Sequence, residues 1–301
     1  MAETVFSDLP QDCVSTILSF TSPPDACTSS LASSTLRSLA DSDAVWEKFL
    51  PSDHEHIVLR SVTPFKFSSK KELYFCLCNP LLIDGGNKSF RLEKLTGRKS
   101  YMLSARELSI RWSEDPMYWI WKPEPASRFG EVAVLRMVWW LEIHGTIRTQ
   151  MLSPNTAYGA YLVMKISESA YGLDSMPSEL SVRVGNVGRN VYTGTAYLCP
   201  RDSKKQLLES LVYLNRKEML NRRLNQGEGT RVPIEREDGW MEIELGKFFN
   251  GEGDEDVKIS VGEVKSNHFK GGLVVEGIDV RPSQWPSSQD VYFTEECDSR
   301  S

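Results

Sequence analysis

Val257-Lys258-Ile259-Ser260-Val261-Gly262-Glu263 alternates apolar and polar side chains without a break. That is the period of a β-strand with one face on a core and the other facing water. The same period recurs at residues 240–245, where Met241, Ile243 and Leu245 share one face and Trp240, Glu242 and Glu244 the other. The second face should be wet, so Trp240 is either exposed or covers a neighbouring loop. Working outward, further strands are expected at 81–83, 89–92, 99–103, 108–112, 138–144, 158–166, 180–184, 191–198 and 273–280. Asp84-Gly85-Gly86-Asn87, Thr96-Gly97 and Asp115-Pro116 supply turns between them. Many short strands with turns point to a sandwich or jelly roll. Residues 206–224 interrupt the pattern with a basic, helical stretch.

Upstream of residue 55 the period is helical. Asp8 or Ser7 can cap a first helix with Pro10 near its first turn, and Val14, Ile17 and Leu18 fall at i, i+3 and i+4. Pro23-Pro24 reads as a break and Asp25 as a second cap, with Leu36, Leu39 and Ala40 continuing the apolar stripe. Asp43 opens a third short helix carrying Val45, Trp46, Phe49 and Leu50. So small a helical module buries little area alone and is expected to need a partner. Ser69 and Glu72 form a capping-box pattern in the segment that follows.

The 301 residues suffice for one small helical module plus one domain of ordinary size. The net charge of -6, from 41 acidic against 35 basic side chains, argues against a general nucleic-acid or membrane-surface binder. No stretch reaches the roughly 18 apolar residues of a membrane span. The first residues carry acids and no basic segment, so no signal peptide is expected and the six cysteines should be free thiols in a reducing compartment. The expected location is the cytoplasm, the nucleus or both.

Phe6-Ser7-Asp8-Leu9-Pro10, followed by Ile17, Leu18 and the downstream Trp46, resembles an F-box over residues 4–50. The resemblance implies docking to the Skp-type adaptor of an SCF ubiquitin ligase, with Leu9, Pro10, Ile17, Leu18 and Trp46 as anchors. Taken without it, the same residues read first as the internal core of a helical domain, since apolar stripes at helical spacing are usually core. The middle of the segment, with Thr28-Ser29-Ser30 and Ser33-Ser34-Thr35, is unusually small and polar for that family.

Residues 88–282 resemble the phloem-protein-two, or Nictaba-like, plant lectin domain. The segments that carry this include Tyr101 through Ile110, Trp112 through Trp121, Trp140-Leu141-Glu142-Ile143, Asp238 through Gly246 and Gly271 through Pro282. The resemblance implies a β-sandwich that binds N-acetylglucosamine-containing glycans, with sugar-binding tryptophans at Trp112 and Trp119 and acids at Asp256 and Glu263. A pyranose ring has an apolar C–H face and a hydroxyl rim, which an exposed aromatic and a carboxylate can match. Tyr118 and Trp121 add to the aromatic density around Asp115-Pro116. Each tryptophan can instead pack the sandwich. Glu263 is in phase with the apolar face of its strand, so it should sit at a strand end or be turned outward by a bulge at Gly262. Asp256, seven residues away, lies about 23 Å along an extended strand and joins Glu263 only if the chain bends. Phe269 stands where tryptophan is common in that family, and 201–231 reads as an elaborated loop.

The whole is expected to be an α+β multidomain chain: a small helical F-box (4–50), a connector with a short helix (51–87), a β-sandwich, jelly-roll-like lectin domain (88–282) and a disordered tail (283–301). No catalytic constellation, cofactor motif or metal spacing stands out, His54-x-His56 and Cys76-x-Cys78 included. The expected role is a non-catalytic adaptor that brings a glycan or glycoprotein to the ligase, or else a lectin acting without the ligase.

Overall fold

The computed structural model describes residues 9–185, 191–199, 231–265 and 268–283. The expected caps Ser7 and Asp8, the basic stretch 206–224, nearly all of the loop 201–231 and the tail after Ser283 lie outside them. Within them, helices at the N-terminus precede a large antiparallel β domain, as the sequence pattern indicates.

Residues 9–50 hold four helices, one more than expected: α1 (Gln11–Ser19), α2 (Pro23–Ser29), α3 (Ser34–Ala40) and α4 (Asp43–Phe49). Pro23-Pro24 opens α2 instead of breaking the chain, because proline's fixed φ suits a first turn. The cap is Ser22, whose hydroxyl accepts from the Asp25 backbone N–H at 3.3 Å. Ser33 caps α3 in the same way through Leu36 N–H at 3.1 Å.

Two further helices follow, α5 (His54–Leu59) and α6 (Lys70–Leu77). Ser69 caps α6, while the Glu72 carboxylate reaches one residue further back than a capping box requires, to Ser68 N–H at 2.7 Å. This segment is no loose connector. Leu73, Tyr74 and Leu77 are buried, and the Tyr74 hydroxyl donates to Lys94 C=O at 3.2 Å. Arg60 grips Asp84 with two bonds of 2.8 and 2.6 Å, and Lys99 Nζ approaches Asp53 at 3.2 Å. One continuous apolar core runs from Val14 through Trp46 and Tyr74 to Val280. Each fully buried leucine contributes about 1.5–3 kcal/mol, so Leu73 and Leu77 alone hold α6 in this core by several kcal/mol.

The strands are β1 (Leu81–Ile83), β2 (Lys88–Leu92), β3 (Lys99–Ser104), β4 (Ser109–Ile110), β5 (Trp119–Lys122), β6 (Val132–Leu135), β7 (Leu141–Arg148), β8 (Thr156–Tyr171), β9 (Ser178–Val184), β10 (Val191–Ala196), β11 (Ile234–Glu235), β12 (Met241–Asn250), β13 (Asp256–Glu263) and β14 (Gly271–Pro282). One sheet runs β1-β2-β3-β14-β8-β12-β11, with β6 also on β14 and β5 on β6; the other runs β10-β9-β13-β7-β4. Val257, Ile259 and Val261 are buried and face the core between the sheets, as their period requires. A Cβ on Gly277 would lie 1.9 Å from Leu103 C=O, so β14 passes β3 where only glycine fits.

Of the two options for Trp240, the structure takes the second. Its ring is 1% exposed, its Nε1–H donates to Ala126 C=O at 2.9 Å, and it joins Met102, Phe129, Val132 and Val163 in a small outer core. The segment 123–131 lies over that outer face. Beneath it Glu276 is 1% exposed and accepts from Arg128 N–H at 2.8 Å.

Candidate functional site

The N-terminal helices present a divided α1. Val14 and Leu18 point inward, while Cys13, Ile17 and Phe20, at helical spacing, are exposed. Leu9 and Pro10 are exposed just before the helix. Among the expected anchors, then, Leu9, Pro10 and Ile17 are on the surface and Leu18 and Trp46 are not. Trp46 is fully buried, donates from Nε1 to Ala40 C=O at 2.7 Å, and packs on Phe49, Tyr74 and Phe75. Leu18 and Trp46 are corrected to core residues: their stripe closes onto α4 and α6. Phe20 and Leu31 are more exposed than Leu9 or Ile17, at 86% and 76%.

In the β domain, three loops meet at one end of the five-stranded sheet. The first is 111–118. Trp112 has φ +60°, a left-handed backbone that costs a bulky residue about 1–3 kcal/mol. The loop is held by Asp115, whose N–H donates to Trp112 C=O at 3.1 Å and whose carboxylate accepts from Met117 N–H at 2.9 Å. The second is 136–140, pinned to the third, 268–270, by paired backbone bonds between Val138 and Lys270. Gly172, at φ +73°, lets the third loop approach; a Cβ there would lie 2.2 Å from Phe269 C=O.

These loops assemble an aromatic cluster. Trp139 lies 5.6 Å from Trp112, 6.4 Å from Tyr118 and 6.0 Å from Phe269, between ring centres. Trp139 and Phe269 are exposed and Trp112 and Tyr118 half-buried. The Arg111 guanidinium lies over both Trp112 and Trp140, at 5.4 and 5.1 Å.

A carboxylate borders the cluster, and it is Glu142. It accepts from Trp140 Nε1–H at 3.1 Å and meets His144 Nε2 at 3.0 Å, while His144 Nδ1 lies 2.8 Å from Ser260 Oγ. A cavity of about 390 Å³ lies between Trp112, Arg111, Glu142 and His144. It shares Glu142 and His144 with a larger groove of about 1170 Å³ along the outer face of the five-stranded sheet.

Several expected site residues stand elsewhere. Trp119 is 2% exposed, because 119–122 is a strand paired with β6, placing Trp119 opposite Leu135; its Nε1–H donates to Arg111 C=O at 3.1 Å. It supports the first loop from below and cannot meet a ligand ring. Trp121 is half-buried under the Arg106 guanidinium at 3.7 Å, away from the cluster's ring contacts. Glu263 ends its strand but points inward, 3% exposed and ion-paired with Lys270. Gly262 does not turn it outward, and the strand runs unbroken from Asp256 to Glu263. Asp256 is exposed at the far end of that strand, opposite Arg148, and does not converge with Glu263. Trp112 and Tyr118 are the expected residues that the cluster contains. Trp139, Trp140, Glu142 and His144 were missed. The alternation Leu141-Glu142-Ile143-His144 carries the signal for the last two, since it sends both side chains to the outer face.

Residues 98–282 match the Phloem protein 2 family, and residues 6–48 match the F-box domain. Among curated relatives, the chain is 51% identical to F-box protein PP2-B15 of Arabidopsis thaliana, covering 91% of this chain and 96% of the relative. It is 49% identical to F-box protein PP2-B13 and 47% to F-box protein VBF, both of the same plant, covering 91% of this chain and 98% of each relative.

Proposed function

Because the chain belongs to the Phloem protein 2 family and carries an F-box domain ahead of that region, we propose that it is a substrate adaptor of an SCF-type ubiquitin ligase whose β domain binds glycans. It performs no chemistry of its own; ubiquitin transfer falls to other subunits. Leu9, Pro10, Ile17 and Phe20 form the face offered to a Skp-type adaptor, an apolar helix stripe that completes its burial on a partner. The working place of such an adaptor is the cytoplasm or nucleus.

The observation that carries the glycan reading is the exposed ring of Trp139 set against Trp112 and Phe269, with Glu142 and His144 beside it. The aromatic surface suits the C–H face of a sugar, and the carboxylate and imidazole suit its hydroxyls. N-acetylglucosamine fits this chemistry, its acetamide methyl adding apolar contact. Affinity per ring is expected to be weak, since hydroxyl bonds exchange for bonds to water. A glycan array probed with the full chain and with Trp139→Ala tests the reading. Binding of N-acetylglucosamine oligomers that the substitution abolishes supports it; equal binding by both proteins overturns the site.

A further inference from the structure

The floor of the long groove carries a charge pattern that a neutral sugar leaves unused. Outward side chains cross the five-stranded sheet in register. In the row nearest the tryptophans, Glu179 and Glu142 flank Gly262. The next row is neutral, with Ser181, Ser260 and His144. The third sets Arg183 directly opposite Lys258, with Thr146 on the other side. Lys258 lies four residues along β13 from Gly262, about 13 Å, the reach of a short oligosaccharide and not of one ring.

Like charges placed directly opposite on neighbouring strands destabilise a sheet. Elsewhere on this face the cations are matched: Lys265 pairs with Glu179 and Arg148 with Asp254. Among the described residues Arg183 and Lys258 have no such acid, although both line the groove. The nearest acid on the same strand face is Asp256, two residues or about 7 Å from Lys258, which softens the local field without closing an ion pair. This cationic pair stands out in a chain of net charge -6.

We infer that the groove takes an anionic oligosaccharide, with a neutral ring on the aromatic cluster and a uronate or sulfate group between Lys258 and Arg183. The inference rests on the glycan reading and adds the charge of the ligand. The full chain is to be titrated with length-matched neutral N-acetylglucosamine oligomers, uronate oligomers and sulfated oligomers, at low and high salt. The expected result is tighter binding of one or both acidic classes, with an advantage that shrinks as salt rises. The uronate and sulfate arms separate the two sources of charge. Lys258→Gln/Arg183→Gln should weaken acidic binding by about fivefold, the upper range for one exposed ion pair, while neutral binding stays as it was. Neutral binding with no preference for acidic oligomers, or acidic binding unchanged in the double variant, overturns this inference alone. Failure of the wild-type chain to bind any of the three overturns it together with the glycan reading.

Discussion

The carboxylate of Glu263 and the ammonium of Lys270 pair with each other inside the protein, where their side chains are 3% and 2% exposed. Lys270 also donates to Trp139 C=O at 2.8 Å, so the pair sits behind the aromatic cluster and fixes its backbone. Removing one member of a buried pair takes a counter-charge from the other. Glu263→Ala should lower stability by about 3–5 kcal/mol. A double replacement by apolar residues of similar volume should recover most of that. Denaturant unfolding of the three proteins checks both statements.

Trp139 and Trp119 should respond in opposite ways. Trp139→Ala removes an exposed ring and should change stability by less than about 1 kcal/mol while abolishing glycan binding. Trp119→Ala empties a buried site and should cost about 3–5 kcal/mol. Melting curves read beside array binding separate the two; a Trp139→Ala protein that unfolds like Trp119→Ala would contradict the placement.

Gly172 lies outside the aromatic cluster, yet it should matter to it. Alanine there must displace the Phe269 carbonyl or the bend after β8 that carries residue 172, and it must also adopt a positive φ. Gly172→Ala is expected to destabilise the protein by more than about 1 kcal/mol and to weaken saccharide binding in the fraction that folds. Calorimetry and titration on the same preparation test this.

At the other end of the chain, Ile17→Ala and Phe20→Ala should leave the melting temperature almost unchanged and weaken capture of a Skp-type adaptor. Trp46→Ala should unfold the helical module, because the ring fills the space between α4 and α6. Co-purification with the adaptor, compared with far-ultraviolet circular dichroism, distinguishes a lost contact from a lost fold.

Burial beneath the 123–131 segment pushes the Glu276 carboxyl above its ordinary range, against hydrogen bonds from Arg128 N–H and Ser127 that favour the ionised form. The folded state therefore holds this proton more tightly than the unfolded chain does. Ionisation costs stability above the folded value, and that cost disappears as pH falls below the unfolded value near 4.5. Glu276→Gln keeps an acceptor for Arg128 and should be more stable than wild type at neutral pH. The difference should close on acidification. Urea midpoints measured from pH 4 to 8 give the answer.

Period-two patterning was enough to find most of the sandwich, because Val257, Ile259 and Val261, or Leu141 and Ile143, declare their inner face through alternation alone. It failed at 119–122, where Trp-Ile-Trp-Lys is apolar on both sides and reads as a sticky loop. Only the partner strand at 132–135, distant in sequence, makes it a strand and buries Trp119. Glu263 was misplaced for a related reason. Its phase pointed inward, but a lone acid argues for the surface until its counter-ion is known, and Lys270 is supplied by the loop ahead of β14. Trp46 could not be sorted between core and surface from α4 by itself, since α6 provides the cover. Residues whose environment is built by their own strand were legible, and residues completed by a remote element were not.

The packing of α6 against β2 has a mechanical outcome. Tyr74 locked to the 93–97 turn and Arg60 clamped on Asp84 tie the helices to the sandwich among the described residues. A cargo held at the tryptophan end of the sheet would ride at one bearing and one radius from α1, like a load on a fixed crane arm. On the proposed reading, the length and attachment point of the glycan then set which of its lysines come within range of a transferase.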